Sequence, residues 1–130
     1  PLITMERLYE PAYDLDLLCW KGKVLKTVVR KRLGSQGING CIIEFNKKEF
    51  INYSKEIVKV FNLSWLYDCD IMMNKDNLPV LIELNPRISG SLYASIESQI
   101  PLIDDVINLH LGNMSKIKNL NFKKNITIKK

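Results

Sequence analysis

Histidine is nearly missing from this chain: His110 is the only one among 130 residues. A histidine-based catalytic triad therefore has almost nothing to draw on. Cysteine is scarce and odd in number, and Cys19, Cys41 and Cys69 fit no metal-type spacing. They read as small buried apolar residues in a reducing, cytoplasmic setting rather than as a disulfide framework. No apolar run approaches the roughly 20 residues that a membrane helix requires, and no signal-peptide pattern opens the chain. The chain begins at Pro1, without Met, and goes straight into a strand-like segment, as a piece of a longer protein would. Acidic residues are missing from Asn113 onward, where Lys116, Lys118, Lys123, Lys124, Lys129 and Lys130 stand. The net charge of +5 is thus a property of the tail, because without those six lysines the remainder carries −1. Such a tail can touch nucleic acid or phospholipid. Phe122 is the only aromatic residue within it, which weakens an RNA-binding reading. A solvated end is the simpler one.

The rest of the composition, 46% hydrophobic and 25% charged, is that of one soluble globular domain. Residues 2–8, 12–20 and 23–31 read as strands, the last rich in β-branched side chains, and Lys21-Gly22 is a compact turn between the second and third. Residues 32–40 form a loop holding three of the six glycines. Residues 47–61 place Phe50, Tyr53, Ile57, Val58 and Phe61 at helical spacing. Strands follow at 64–74 and 79–84, then a short helix at 92–98. A longer helix covers 101–111, with Pro101 at its start and Gly112 just past its end. This order predicts an α+β domain, a mostly antiparallel sheet with helices packed on one side. In the tail, residues 126–128 either add an edge strand or stay mobile.

Strand arithmetic singles out four polar side chains. In 79–84, Val80, Ile82 and Leu84 point one way, while Leu81, Glu83, Asn85 and, if the extended run continues, Arg87 point the other. In 64–74, Asp68 and Asp70 share a face, opposite Trp65, Tyr67, Cys69, Ile71 and Met73. Asp76-Asn77 suits a two-residue hairpin turn, with Lys75 facing Leu78. In that register Asp70 lies opposite Glu83, and Asp68 lies opposite Asn85. Facing carboxylates repel. A divalent cation is the simplest reason to tolerate them, and hard oxygen donors favour Mg²⁺ or Mn²⁺ over zinc. Arg87, two residues beyond Asn85, points to an anionic ligand beside the cation. One acidic pair alone would read as solvation; four polar groups on one face, ending in Asn85-Pro86-Arg87-Ile88-Ser89-Gly90, do not.

Glu83-Leu84-Asn85-Pro86-Arg87, followed by Ser89-Gly90 and preceded by an acidic residue on the neighbouring strand, resembles the C-terminal signature of ATP-grasp enzymes. The likeness is closest to the branch around the large chain of carbamoyl phosphate synthase and runs from Leu2 to Gly112. The resemblance implies the C-terminal lobe of an ATP-grasp fold over residues 1–112, with 113–130 as a basic tail. It implies ATP and Mg²⁺ (or Mn²⁺), with Glu83 bridging metals, Asp70 and Asn85 completing the oxygen shell, and Arg87 as the catalytic arginine that steadies the transferring phosphoryl group. Residues 2–8 match the family's hinge strand, so that Glu6 would accept from the adenine amino group and the backbone near Leu8 would supply the other edge contact. Gly37, Ile38 and Asn39 sit where the family threads a loop near the nucleotide, flanked by Arg30 and Arg32. Glycine there lets backbone N–H groups approach phosphate, although the spacing is not that of a Walker loop. The chain departs from the pattern at Ala12, where relatives commonly carry an acidic ribose ligand before the aromatic residue; Asp14 would have to point differently to replace it.

By the same resemblance, ATP phosphorylates a small carboxylate substrate, and an amine or other nucleophile attacks the acyl phosphate. The partner of this piece would be the N-terminal lobe of the same enzyme, without which the piece is expected to be inactive. A nucleotide-binding regulatory or scaffolding domain, or a nucleic-acid module using the lysine tail, are the alternatives.

Overall fold

Tyr9–Trp20 (β1) and Lys23–Arg32 (β2) form an antiparallel hairpin in the computed structural model, which describes residues 2–120 and 124–129. Lys21 and Gly22 turn the chain with φ of 46° and 73°. Two left-handed residues in succession match the twist of the strands they join. Beyond β2 lie Cys41–Ile43 (β3) and, at the edge, Ile126–Ile128 (β6); on the other side of β1 lie Trp65–Met73 (β4) and Pro79–Asn85 (β5). The sheet order is β5-β4-β1-β2-β3-β6, and every neighbouring pair is antiparallel. Among the described residues three α-helices accompany it: Lys48–Val60 (α1), Tyr93–Glu97 (α2) and Leu102–His110 (α3).

The α+β class and the antiparallel sheet match the expectation, but the helices divide between both faces. The reason is legible in β1, which is buried from Ala12 through Cys19. Leu15 and Leu17 join Val29, Cys69 and Ile71 against Phe50, Ile57 and Val58 of α1. Leu18 joins Val28, Ile43 and Leu66 on the opposite face, against Leu92, Ile100, Leu102 and Leu109 around α2 and α3. A central strand that is apolar on both sides must be covered on both sides.

All three helices end alike, with one left-handed residue that returns two N–H groups to the last turn. After α1, Asn62 (φ 48°) donates to Lys59 O and Leu63 to Val58 O. After α2, Gln99 (φ 59°) and Ile100 bond to Ile96 O and Ser95 O; after α3, Gly112 (φ 74°) and Asn113 bond to Leu109 O and Asn108 O. Only the third stop uses the expected glycine.

Residues 2–8 are not a strand. They are almost wholly exposed and precede β1 in irregular structure. Pairing between β1 and β4 stops where Tyr9 meets Met73, after which β4 leaves for its hairpin turn, so among the described residues no strand pairs with residues 2–8. Conversely, β3 falls between the glycine loop and the first helix, in a stretch to which the sequence reading gives no element. The tail supplies β6, and Ile117, Leu120 and Ile126 pack against the α2–α3 face. Pro1, Phe122, Lys123 and Lys130 lie outside the described residues.

Candidate functional site

The face of the sheet that carries α2 and α3 changes character along the strands. At one end it is apolar, with Leu18, Val28 and Leu66; at the other it presents Asp14, Asp16, Arg30, Arg32, Asp68 and Asp70. The ladders align these groups in rows. Glu83, Asp70 and Asp14 stand abreast on β5, β4 and β1, and Asn85, Asp68 and Asp16 form the next row. Paired residues in such a ladder are about 5 Å apart, so three carboxylates share the first row.

The pairing of Asp70 with Glu83 and of Asp68 with Asn85 is the expected one, reached by a different route. The turn has three residues rather than two: Asn74 N donates to Leu78 O at 2.9 Å, with Lys75, Asp76 and Asn77 (φ 58°) between them. The Asn74 side chain drives this, because its Oδ1 accepts from the Asp76 and Leu78 amides at 3.0 and 2.9 Å. Ile71 therefore faces Leu81, one step out of the two-residue register, and a bulge between Asp70 and Ile71 restores it. That bulge also turns Leu81 to the α1 face with Leu84, away from Glu83, where strict alternation had placed it.

Arginines answer the acidic rows. Arg32 on β2 binds Asp14 through Nε at 3.0 Å and through Nη2, and reaches Asp70 Oδ2 at 2.9 Å. Its guanidinium is held protonated more firmly than usual, first by the hydrogen bond to Asp14. The repulsion expected to demand a cation is thus already met in part by Arg32. Arg30, also on β2, is fully buried; it donates to Asp16 Oδ1 at 2.9 Å and to Ser91 O and Oγ at 2.6 and 2.7 Å. Ser95 of α2 donates to the other Asp16 oxygen at 2.9 Å. Burial nevertheless dominates Asp16 and pushes its carboxyl up to about 6, against the pull of Arg30 and Ser95. Burial likewise raises Asp70, opposed by Arg32 and reinforced by the Asp14 and Asp68 charges. Arg30 and Arg32 therefore face the carboxylates and do not serve the glycine loop they flank in sequence.

Asp14, Arg32, Asp68, Asp70, Glu83, Asn85 and Arg87 line a cavity of about 270 Å³, closed on one side by Ser89, Gly90 and Ser91. Arg87 Nη1 donates to Asp68 Oδ2 at 2.9 Å while its side chain stays 56% exposed, so the rest of the fork faces solvent. Four lining carboxylates face two lining guanidinium groups, and the buried Arg30 is shared between Asp16 at 2.9 Å and Asp68 Oδ1 at 3.9 Å, which leaves a formal excess of negative charge. Carboxylate oxygens of Asp14, Asp68 and Asp70 lie within 4.8 Å of one another. Buried Asp68 Oδ1 and Asn85 Nδ2 have no hydrogen-bond partner among the described residues. A hard divalent cation fits this donor set: oxygen-rich, net negative, with one buried carboxylate oxygen to spare.

Of the residues expected at the site, Gly37, Asp70, Glu83, Asn85 and Arg87 line this cavity. Glu6 and Leu8 do not, lying in the irregular lead-in, and neither do Ile38 and Asn39. Gly40 has a packing reason of its own, since a Cβ there would collide with the Ile128 carbonyl of β6. Asp14, Asp16, Arg30 and Arg32 were missed as a group. Their signal was present: Asp14 and Asp16 repeat the two-residue spacing of Asp68 and Asp70. What the chain order conceals is that β1 lies directly beside β4.

The chain matches no curated protein sequence. Solved structures do resemble it. The L-amino acid ligase from Bacillus licheniformis superposes with a TM-score of 0.55 and 16% identity, over 83% of this chain and 32% of the ligase. N5-carboxyaminoimidazole synthetase from Staphylococcus aureus superposes at 0.60 and 12% identity, over 88% of this chain and 32% of the synthetase. At these identities the likeness is one of fold, and the chain spans about a third of the length of either protein. A family model described as ATP-grasp in the biosynthetic pathway with Ter operon matches residues 1–130. The acidic rows and the Asn85-Pro86-Arg87 exit strand are therefore those of a chain that belongs to this ATP-grasp family.

Proposed function

We propose that this chain supplies the metal- and nucleotide-phosphate-binding half of an ATP-grasp ligase of the C–N bond-forming type, related to the carbamoyl phosphate synthase large chain, that activates a carboxylate as its acyl phosphate. The observation that carries this reading is the net negative cavity whose exit strand ends in an exposed guanidinium. A triphosphate cannot enter four carboxylates alone, but a magnesium-bound one can, with Arg87 meeting the phosphoryl oxygens. Glu83, Asp70 and Asn85 would hold Mg²⁺ or Mn²⁺, with Asp14 and Asp68 close enough to join the shell. When bound, the metal neutralises phosphate charge during transfer. The chain's own residues do the rest: Arg32 pairs with Asp14 and Asp70 and holds both carboxylates in place, and Asp68 anchors one arm of Arg87.

A cavity of about 270 Å³ is small beside the roughly 300–1,000 Å³ that encloses a ligand of drug size. That supports a site completed by a second lobe, which would also help to read the adenine, since Glu6 and Leu8 lie in the irregular lead-in outside this cavity. The two structural neighbours, named as an amino acid ligase and a synthetase, fit the same reaction class.

The test is Mn²⁺ binding, by relaxation enhancement or calorimetry, in the wild type, Glu83→Gln and Asp70→Asn. Binding should be weak without nucleotide, because Mg²⁺-type sites lean on substrate phosphates, and each substitution should weaken it by about tenfold. Equal affinity in all three proteins would remove the metal assignment.

A further inference from the structure

Trp65 opens β4 with a φ of 84°, a left-handed backbone that a bulky side chain rarely adopts. Strand alternation would put its indole on the α1 face with Tyr67. Its ring instead meets Trp20 edge-on at 5.0 Å and His110 of α3 at 6.0 Å, and stays 40% exposed. From there an apolar band runs along the outer side of α3. His110, Ile107 and Ile103 are exposed at spacings of three and four residues and so share one face. At the other end of the helix Ile103 joins a second cavity, of about 390 Å³, lined by Ile96, Gln99, Ile100, Pro101, Ile103 and Asp104. The band thus carries a protruding indole at the end of α3 and a largely apolar hollow at its start. We infer that this face is a two-fold interface between two copies of the chain, with α3 antiparallel to its counterpart and Trp65 of each copy seated in the second cavity of the other.

Charge and symmetry choose the occupant. Exposed Glu97 and Asp104 stand at the hollow end of the band. His110 and Lys21, whose Nζ lies 5.4 Å from the centre of the Trp20 ring, stand at the indole end. A parallel partner helix would set like charges together. A two-fold axis beside Ile107 reverses the second helix, so the acidic end of each copy meets the basic end of the other. The same operation brings indole and hollow together twice, while Ile107, 51% exposed, meets its own counterpart at the axis. Asp104 and His110 are six residues apart, about 9 Å along the helix, so a single helix-on-helix contact spans both ends. A cavity of about 390 Å³ lies within the roughly 300–1,000 Å³ that admits small molecules, which is room for an indole. Tryptophan seated in a desolvated pocket contributes strongly to binding, and that gain offsets the strain at Trp65. None of these residues lines the acidic cavity, so pairing and metal binding are separable.

Sedimentation equilibrium of the 130-residue chain is the test, with circular dichroism to show that each variant is folded. The wild type should form a dimer with a dissociation constant in the micromolar range, weakened severalfold at high salt as the end charges are screened. Ile107→Glu sets two like charges at the axis on an exposed position and should leave a folded monomer. Trp65→Ala should weaken the dimer by more than about thirtyfold, the loss expected for a central anchor. Asp104→Lys should weaken it by about tenfold. Adding Lys21→Glu to Asp104→Lys should restore most of that loss, a rescue that mere loss of structure would not produce. A wild type that stays monomeric up to about 1 mM overturns the inference. A dimer that Ile107→Glu and Trp65→Ala both leave intact overturns it as well, because the copies then meet through another face.

Discussion

Asp14 lies directly across from Asp70 in the β1–β4 ladder, and the Arg32 guanidinium binds both carboxylates. One cation therefore stands where two acidic groups meet, and a bound metal would compete with it or share its work.

Replacing Arg32 with Met should thus have two linked effects. Loss of the partly buried charge leaves Asp14 and Asp70 facing each other unpaired and should cost about 2 kcal/mol of stability. Mn²⁺ should then raise the melting temperature of Arg32→Met more than that of the wild type, because a ligand bound only by the folded state stabilises it. Thermal unfolding with and without Mn²⁺ measures both. A variant as stable as the wild type, or indifferent to Mn²⁺, would show that Arg32 and the metal do not share these carboxylates.

Asp16 gives the protein a pH dependence of unusual sign. Its folded-state carboxyl titrates at about 6, above the unfolded value. Between about pH 4 and pH 6 the folded chain holds a proton that the unfolded chain releases, so this group's stabilising contribution is full below about pH 4 and is lost as pH rises through 6. The loss should be on the order of 3 kcal/mol, with Asp70 acting in the same direction. Urea unfolding of the wild type and Asp16→Asn from pH 4 to pH 8 checks it. The asparagine variant should show a flatter profile, and identical slopes would contradict the burial of an ionisable Asp16.

The three cysteines should differ in reactivity. Burial pushes the Cys19 and Cys69 thiols up to about 12, and both are fully buried beneath α1. Cys41 is raised as well, but it lines the cavity and is 6% exposed. With iodoacetamide at pH 8, Cys41 should be the first to react in the folded chain. Cys19 and Cys69 should label more than about a hundredfold slower than in urea, since the thiolate is the reactive form. Mass spectrometry of the labelled peptides reads this directly; rapid labelling of Cys69 would mean that the face under α1 is not closed.

The 130-residue chain by itself should turn over no ATP. Phosphoryl transfer depends on positioning and charge neutralisation around the whole triphosphate, and this cavity offers one side of that shell. The decisive assay is Mg²⁺-dependent ADP release by the purified chain. Release abolished by Arg87→Ala or Glu83→Gln would sink the expectation and mean that the chain completes its own site, within one copy or by pairing two.

Local chemistry by itself determined a good part of this protein. Lys21-Gly22 encodes its hairpin, Gly112 its helix stop, and the period-two pattern of 64–74 and 79–85 sets Asp68 and Asp70 against Asn85 and Glu83. These outcomes depend on residues close in sequence, where dihedral preference and alternation act directly. Even there, the Asn74 side chain lengthened the turn and a bulge restored the register, two offsetting shifts that alternation alone cannot reveal. What only the tertiary structure decided is the neighbourhood of β1. Asp14 and Asp16 lie more than fifty residues from Asp68 and Asp70 in sequence, and nothing local states that β1 inserts between β4 and β2. Its apolar residues on both faces demand cover from α1 on one side and from α2 and α3 on the other, which buries it in the middle of the sheet. That burial brings Arg30 and Arg32 of β2 onto the acidic rows, closes Ser91 over Arg30, and leaves residues 2–8 with no strand to join. The charges of the site are written in the chain; their pairing is a consequence of which strand the core needs at its centre.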